Sequence, residues 1–192
     1  MRLEPVNKRT VAFVDGQNLF HAAKEAFGYP WPNFDLFRLV SDVCIQEKLS
    51  LVAVRFYTGV PEPTESPFWS HFWAAKTAVM GRQGVHVYTR PVRRGREKGI
   101  DVRLAIDIIR MAHRGEYDVA LVFSQDQDLS EVADEIRLLS LEQDRWLRIV
   151  SAFPWSATAP NHRGINGTDW VRIDRATYDR NLDTRDYRPP RK

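Results

Sequence analysis

Five short apolar runs, at residues 11–14, 51–57, 85–88, 119–123 and 146–150, recur along the chain with helical stretches between them. Runs this short and rich in Val and aromatic side chains read as buried strands, and strands alternating with helices assemble into a parallel sheet covered on both faces. The expected fold class is α/β: a Rossmann-like three-layer α/β/α arrangement whose central sheet is mainly parallel, doubly wound and about five to six strands wide. A chain of 192 residues, 43% apolar and 28% charged, suits one domain. Residues 1–182 are expected to form it, with a disordered basic tail at 183–192.

The helices follow from periodicity and punctuation. Residues 18–27 read as a helix stopped by Gly28, and Asp35 caps a second one reaching Lys48. A third follows the prolines between 61 and 67 and carries Phe68, Trp69, Phe72 and Trp73, an aromatic set that suits a core or an interface. That set makes a homodimer an expectation. Residues 101–114 and 128–141 complete the helices, and Asp174 starts a short terminal one after a strand at 170–173. Residues 151–169 hold two prolines, two glycines and no periodicity, and read as a long loop on the side where ligands bind.

Net charge is only +3, so whole-chain charge argues weakly for nucleic acid, but its distribution is uneven. Arg90, Arg93, Arg94, Arg96 and Lys98 stand close together against the single anion Glu97. Such a run is either a solvated loop or a strip of phosphate contacts. The apolar stretches are far shorter than a bilayer span and the N-terminus lacks a secretory signal, so a cytoplasmic protein without membrane partners is expected. The lone Cys44, between Val43 and Ile45, reads as a buried helix residue.

The first and fourth strands run into carboxylates: Asp15 in Asp15-Gly16-Gln17-Asn18, and Asp126 and Asp128 in Ser124-Gln125-Asp126-Gln127-Asp128. Ligands in an open parallel sheet sit beyond the carboxyl ends of the strands, where these groups would converge with Asp101 at the start of a helix. Clustered carboxylates repel one another unless a cation neutralises them. Hard oxygen donors without Cys or His suit Mg²⁺ or Mn²⁺, one or two ions, rather than zinc. Each residue also has a plainer reading. Asp128 with Glu131 imitates a capping box, Asp101 can cap its own helix, and Asp15 before Gly16 can make a turn. Asp107 lies about 240° around the helix from Asp101 and reads as a surface partner of Arg103 or Arg110.

Together, Asp15-Gly16-Gln17-Asn18, Lys98-Gly99-Ile100-Asp101-Val102 with Asp107 after it, and Leu121 to Asp128 resemble NYN domains in order and spacing. These form a branch of the PIN-like nucleases that includes LabA-like proteins; the resemblance covers roughly residues 9–150. It implies a metal-dependent ribonuclease, with Asp15, Asp101, Asp126 and Asp128 as metal-holding catalytic residues and Asn18 and Ser124 supporting them. Asp107 matches a further family position, and Lys98 is placed to touch a phosphate. Two positions depart from the family: Gln125 stands where glycine is common, as a residue permitting positive φ, and Leu129 where phenylalanine is common.

The function expected is hydrolysis of RNA phosphodiesters, on single strands, by metal-activated water. Arg93, Arg94, Arg96, Lys98, His162 and Arg163 are the expected nucleic-acid contacts, with Trp155 available for stacking. The alternative is a catalytically silent RNA-binding or regulatory module on the same fold. A phosphatase using Asp15 as nucleophile ranks last, because Gln17 occupies the position where such enzymes carry a second Asp.

Overall fold

A computed structural model describes residues 2–92 and 99–189. Its strands are β1 (Arg9–Asp15), β2 (Ser50–Pro61), β3 (His86–Val92), β4 (Val119–Phe123), β5 (Arg148–Pro154) and β6 (Asp169–Ile173), in the order β3-β2-β1-β4-β5-β6. Every pairing between these strands is parallel. The helices are α1 (Gly16–Phe27), α2 (Leu36–Gln46), α3 (Pro67–Arg82), α4 (Ile100–His113), α5 (Ser130–Glu142) and α6 (Arg175–Arg180). The expected doubly wound α/β sheet is therefore present, with six strands.

Successive residues of β1 feed two cores, because side chains alternate across a strand. Ala12 and Val14 pack with Leu19 of α1, Leu39 of α2 and Trp73 of α3, whereas Val11 and Phe13 pack with Leu104 of α4 and Ile136 of α5. Burial on both faces explains why β1 and β4 read as unbroken apolar runs. The chain leaves β1 toward β2 and later returns to its other side as β4, so the crevice beyond these two strands is the topological switch point. Val14 pairs with Phe123, which brings the next residues, Asp15 and Ser124, out of the sheet at one level. At the opposite edge, Arg9 clamps Asp118 ahead of β4 through guanidinium contacts of 2.8 and 3.1 Å.

Several boundaries differ from expectation. α2 ends at Gln46 rather than Lys48, which turns with φ of 55°. β2 runs on to Pro61 and β5 to Pro154, so residues 151–154 are strand and the long connection starts only at Trp155. β5 persists because β6 pairs with it from Val150 to Pro154, while the Ser151 hydroxyl is buried and donates to the Ser124 carbonyl at 2.6 Å. Part of the segment expected to be a disordered tail packs on the fold. Tyr187 is 7% exposed, its ring lies 5.8 Å from that of Phe72, and its hydroxyl donates to Asp183 at 2.5 Å. No helix among the described residues is long and apolar enough to cross a membrane.

Candidate acidic site at the switch point

Asp15 ends β1 and starts α1 with one side chain. Its Oδ1 accepts from the backbone N–H groups of Gln17 at 3.1 Å and Asn18 at 3.0 Å, and the residue is 7% exposed. Asp15 is thus the N-cap of α1, where the plainer reading of the sequence is a turn before Gly16. α1 starts immediately because Gly16 lacks a Cβ, which would lie 2.4 Å from a Phe56 ring carbon. One turn on, Asn18 Oδ1 accepts from the Gln125 N–H at 2.9 Å, tying α1 to the segment after β4.

That segment is built from its own short polar side chains. Ser124 Oγ accepts from the Asp126 N–H at 3.1 Å, and Asp126 Oδ1 accepts from the Asp128 N–H at 3.0 Å, winding a 3₁₀ turn at Gln127–Leu129. Neither expected cap forms. Leu129, not Asp128, precedes α5, and Gly99, with φ of 79°, precedes α4, leaving Asp101 within its first turn. The Asp101 and Asp128 carboxylates accept no hydrogen bond and form no ion pair among the described residues.

Asp101 nevertheless feels the charges of Asp126 and Asp128. Although the Asp101 side chain reaches solvent, partial desolvation by the surrounding protein, followed by the charges of Asp126 and Asp128, pushes its carboxyl above the usual carboxylate range. Among the described residues no three His, Cys, Asp or Glu side chains stand close enough to enclose a metal unaided. An open set of oxygen donors of this kind matches the way Mg²⁺ binds, through one or two carboxylates with retained water.

Asp107 is not at this edge. About 9 Å further along α4, it is 3% exposed and accepts from the Tyr57 hydroxyl at 2.9 Å, Arg103 at 3.1 Å and Arg55 at 3.2 Å. The pairing with Arg103 is as expected, but the site is buried and joins α4 to β2. Burial opposes the charge, yet the Tyr57 hydroxyl and the Arg103 and Arg55 guanidinium groups outweigh it and hold Asp107 below the ordinary carboxylate range.

Gln125 does not adopt the positive backbone φ that a glycine there would permit. Its buried amide instead donates to the Arg163 carbonyl at 2.8 Å, while Gln127 donates to the Gly164 carbonyl at 3.0 Å and accepts from the Asn166 N–H at 3.2 Å. The two glutamines therefore pin the long loop beside the acidic turn, a role the sequence signals only as two amides at alternate positions. On this loop His162 accepts from Trp155 Nε1 at 3.2 Å, the Arg172 guanidinium lies 5.2 Å from the Trp155 ring, and Arg163 donates to Asn166 at 2.7 Å. Arg93, Arg94, Arg96 and Lys98 lie outside the described residues.

The structure is similar to the crystal structure of VPA0982, a protein of unknown function from Vibrio parahaemolyticus. The TM-score is 0.59 at 18% sequence identity, over 90% of this chain and 98% of that one. This likeness concerns the fold alone. No curated protein matches the chain. The NYN domain profile matches residues 9–154, most of the chain and every strand from β1 through β5. This protein belongs to the NYN domain family.

Proposed function

We propose that this protein is a divalent-metal-dependent ribonuclease that hydrolyses phosphodiester bonds of single-stranded RNA. The observation carrying the proposal is that Asp101 lies within reach of the charges of Asp126 and Asp128, beyond the end of β4, and that the Asp101 and Asp128 carboxylates have no hydrogen-bond or ion-pair partner among the described residues. Asp15, Asp101, Asp126 and Asp128 would hold one or two Mg²⁺ or Mn²⁺ ions, directly or through water. A bound ion would supply an activated water and stabilise the charge developing on the phosphate. The chain's own part is positioning. The α1 N–H groups fix Asp15, the Ser124 hydroxyl and Asp126 shape the turn that presents Asp126 and Asp128, and Asn18 holds the whole segment through Gln125. Asn18 is accordingly a positioning residue. Lys98 and the neighbouring arginines, with His162 and Arg163, would contact the RNA backbone.

Purified protein incubated with labelled single-stranded RNA and Mn²⁺ tests this beside Asp15→Asn and Asp126→Asn. Asparagine keeps the capping oxygen, so both variants should fold as the wild type does. Cleavage should fall at least about 100-fold, no less than for loss of a residue that merely supports a metal ligand. Equal cleavage by variants and wild type would overturn the proposal. RNA binding without cleavage would favour the silent-module reading.

A further inference from the structure

Beside the acidic edge, α1 and α3 enclose a cavity of about 160 Å³ above the end of β2, lined by Gln17, Phe20, His21, Gly59, Trp69 and Trp73 among others. We infer that this cavity receives one unpaired nucleobase of the RNA strand whose phosphate lies at the acidic edge, and so makes the protein select single strands over duplex. The inference rests on the nuclease reading and adds a base-binding cavity as the source of its single-strand preference.

Position gives the first argument. Asp15 pairs with Tyr57, so Gly59 stands two residues, about 7 Å, further along β2. Gln17 belongs to both places: its N–H holds the Asp15 carboxylate and its side lines the cavity. A base there would therefore belong to a nucleotide adjoining the one under attack. The leading N–H groups of α1 are already taken by Asp15, so α1 serves this strand with its side chains.

Chemistry gives the second. A nucleobase offers two π faces and an edge of donors and acceptors, and here two indoles and a phenyl ring form walls while Gln17 and His21 bring polar atoms. Trp73 is sealed into the core against Phe56, but Trp69 stays half-buried. Its contacts with Phe68 and Phe72, at 5.3 and 5.4 Å, are both T-shaped, and no aromatic ring among the described residues stacks on it. A base pair presents its stacking faces only to neighbouring pairs, so a duplex cannot enter without flipping a base.

The test is binding of a fluorescein-labelled RNA hexamer and its duplex to the full chain in EDTA, read by anisotropy. The wild type should favour the single strand. Trp69→Ala should weaken that binding about tenfold, Trp69→Phe should recover most of it, and circular dichroism would confirm that both variants fold. Unchanged hexamer affinity in Trp69→Ala, with Asp15-dependent cleavage intact, overturns the cavity assignment and leaves the nuclease reading standing. Unchanged affinity accompanied by loss of a dimer in sedimentation would assign the rings to contact between copies, which also overturns it. A wild type that neither binds nor cleaves RNA removes the nuclease reading and the inference with it.

Discussion

Asn18 shows how one amide connects two distant motifs. Its oxygen accepts from the part-buried Gln125 N–H, and removing it leaves that donor unsatisfied. Asn18→Ala should therefore cost about 1–3 kcal/mol in urea denaturation, and Asn18→Asp, which keeps an acceptor, should recover part of the loss. Gln125→Gly, which installs the residue the family commonly carries, should leave the turn intact, since no positive φ is needed, but free the long loop. The readout is limited proteolysis: cutting between 155 and 168 should quicken, and an unchanged pattern would contradict the pinning role. Asp15 and Asp126 were legible because each follows an apolar run. The work of Gln125 was not, because a side chain bonding a carbonyl 38 residues away leaves no local trace.

At the scale of elements, the Asp107 cluster fastens α4 to β2 and thereby sets where Asp101 enters the edge. Asp107→Asn should destabilise by about 2 kcal/mol, the size of charged hydrogen bonds that are lost. Because the folded pKa of Asp107 is depressed, its contribution is present above the unfolded value near 3.8 and lost as pH falls through the lower folded one. The melting difference between wild type and Asp107→Asn should hold steady from pH 5 to 7 and shrink below about pH 4. A gap independent of pH would sink this account. Periodicity placed α4 to within a residue or two, but β5 was cut short. Ser151 to Pro154 looks like a turn in isolation and becomes strand only through β6 on one side and the Ser124 carbonyl beneath it.

For the whole molecule, the segment after Asp183 closes the α3 side rather than trailing away. Tyr187 covers Phe72 and stands 4.8 Å above the Lys76 ammonium group, which is 1% exposed and is pushed down to about 8 by desolvation. Tyr187→Ala should lower stability by about 3 kcal/mol, a drop of several degrees in melting temperature. A change under one degree would show that the segment adds no cohesion. Composition in the tail, Arg and Asp alternating around one Tyr, reads as solvated, and only the groove between α3 and Asp183 gives that Tyr somewhere to go.

The Arg9–Asp118 clamp at one edge and the Asn18–Gln125 bond at the other fasten β1 and β4 at both ends of their pairing. Two rails bolted at each end cannot slide. The spacing of Asp15 and Asp126 is then set by the sheet, and, on the proposed nuclease reading, adjustment to cations of different radius would fall to side-chain rotamers and to the 3₁₀ turn carrying Asp128.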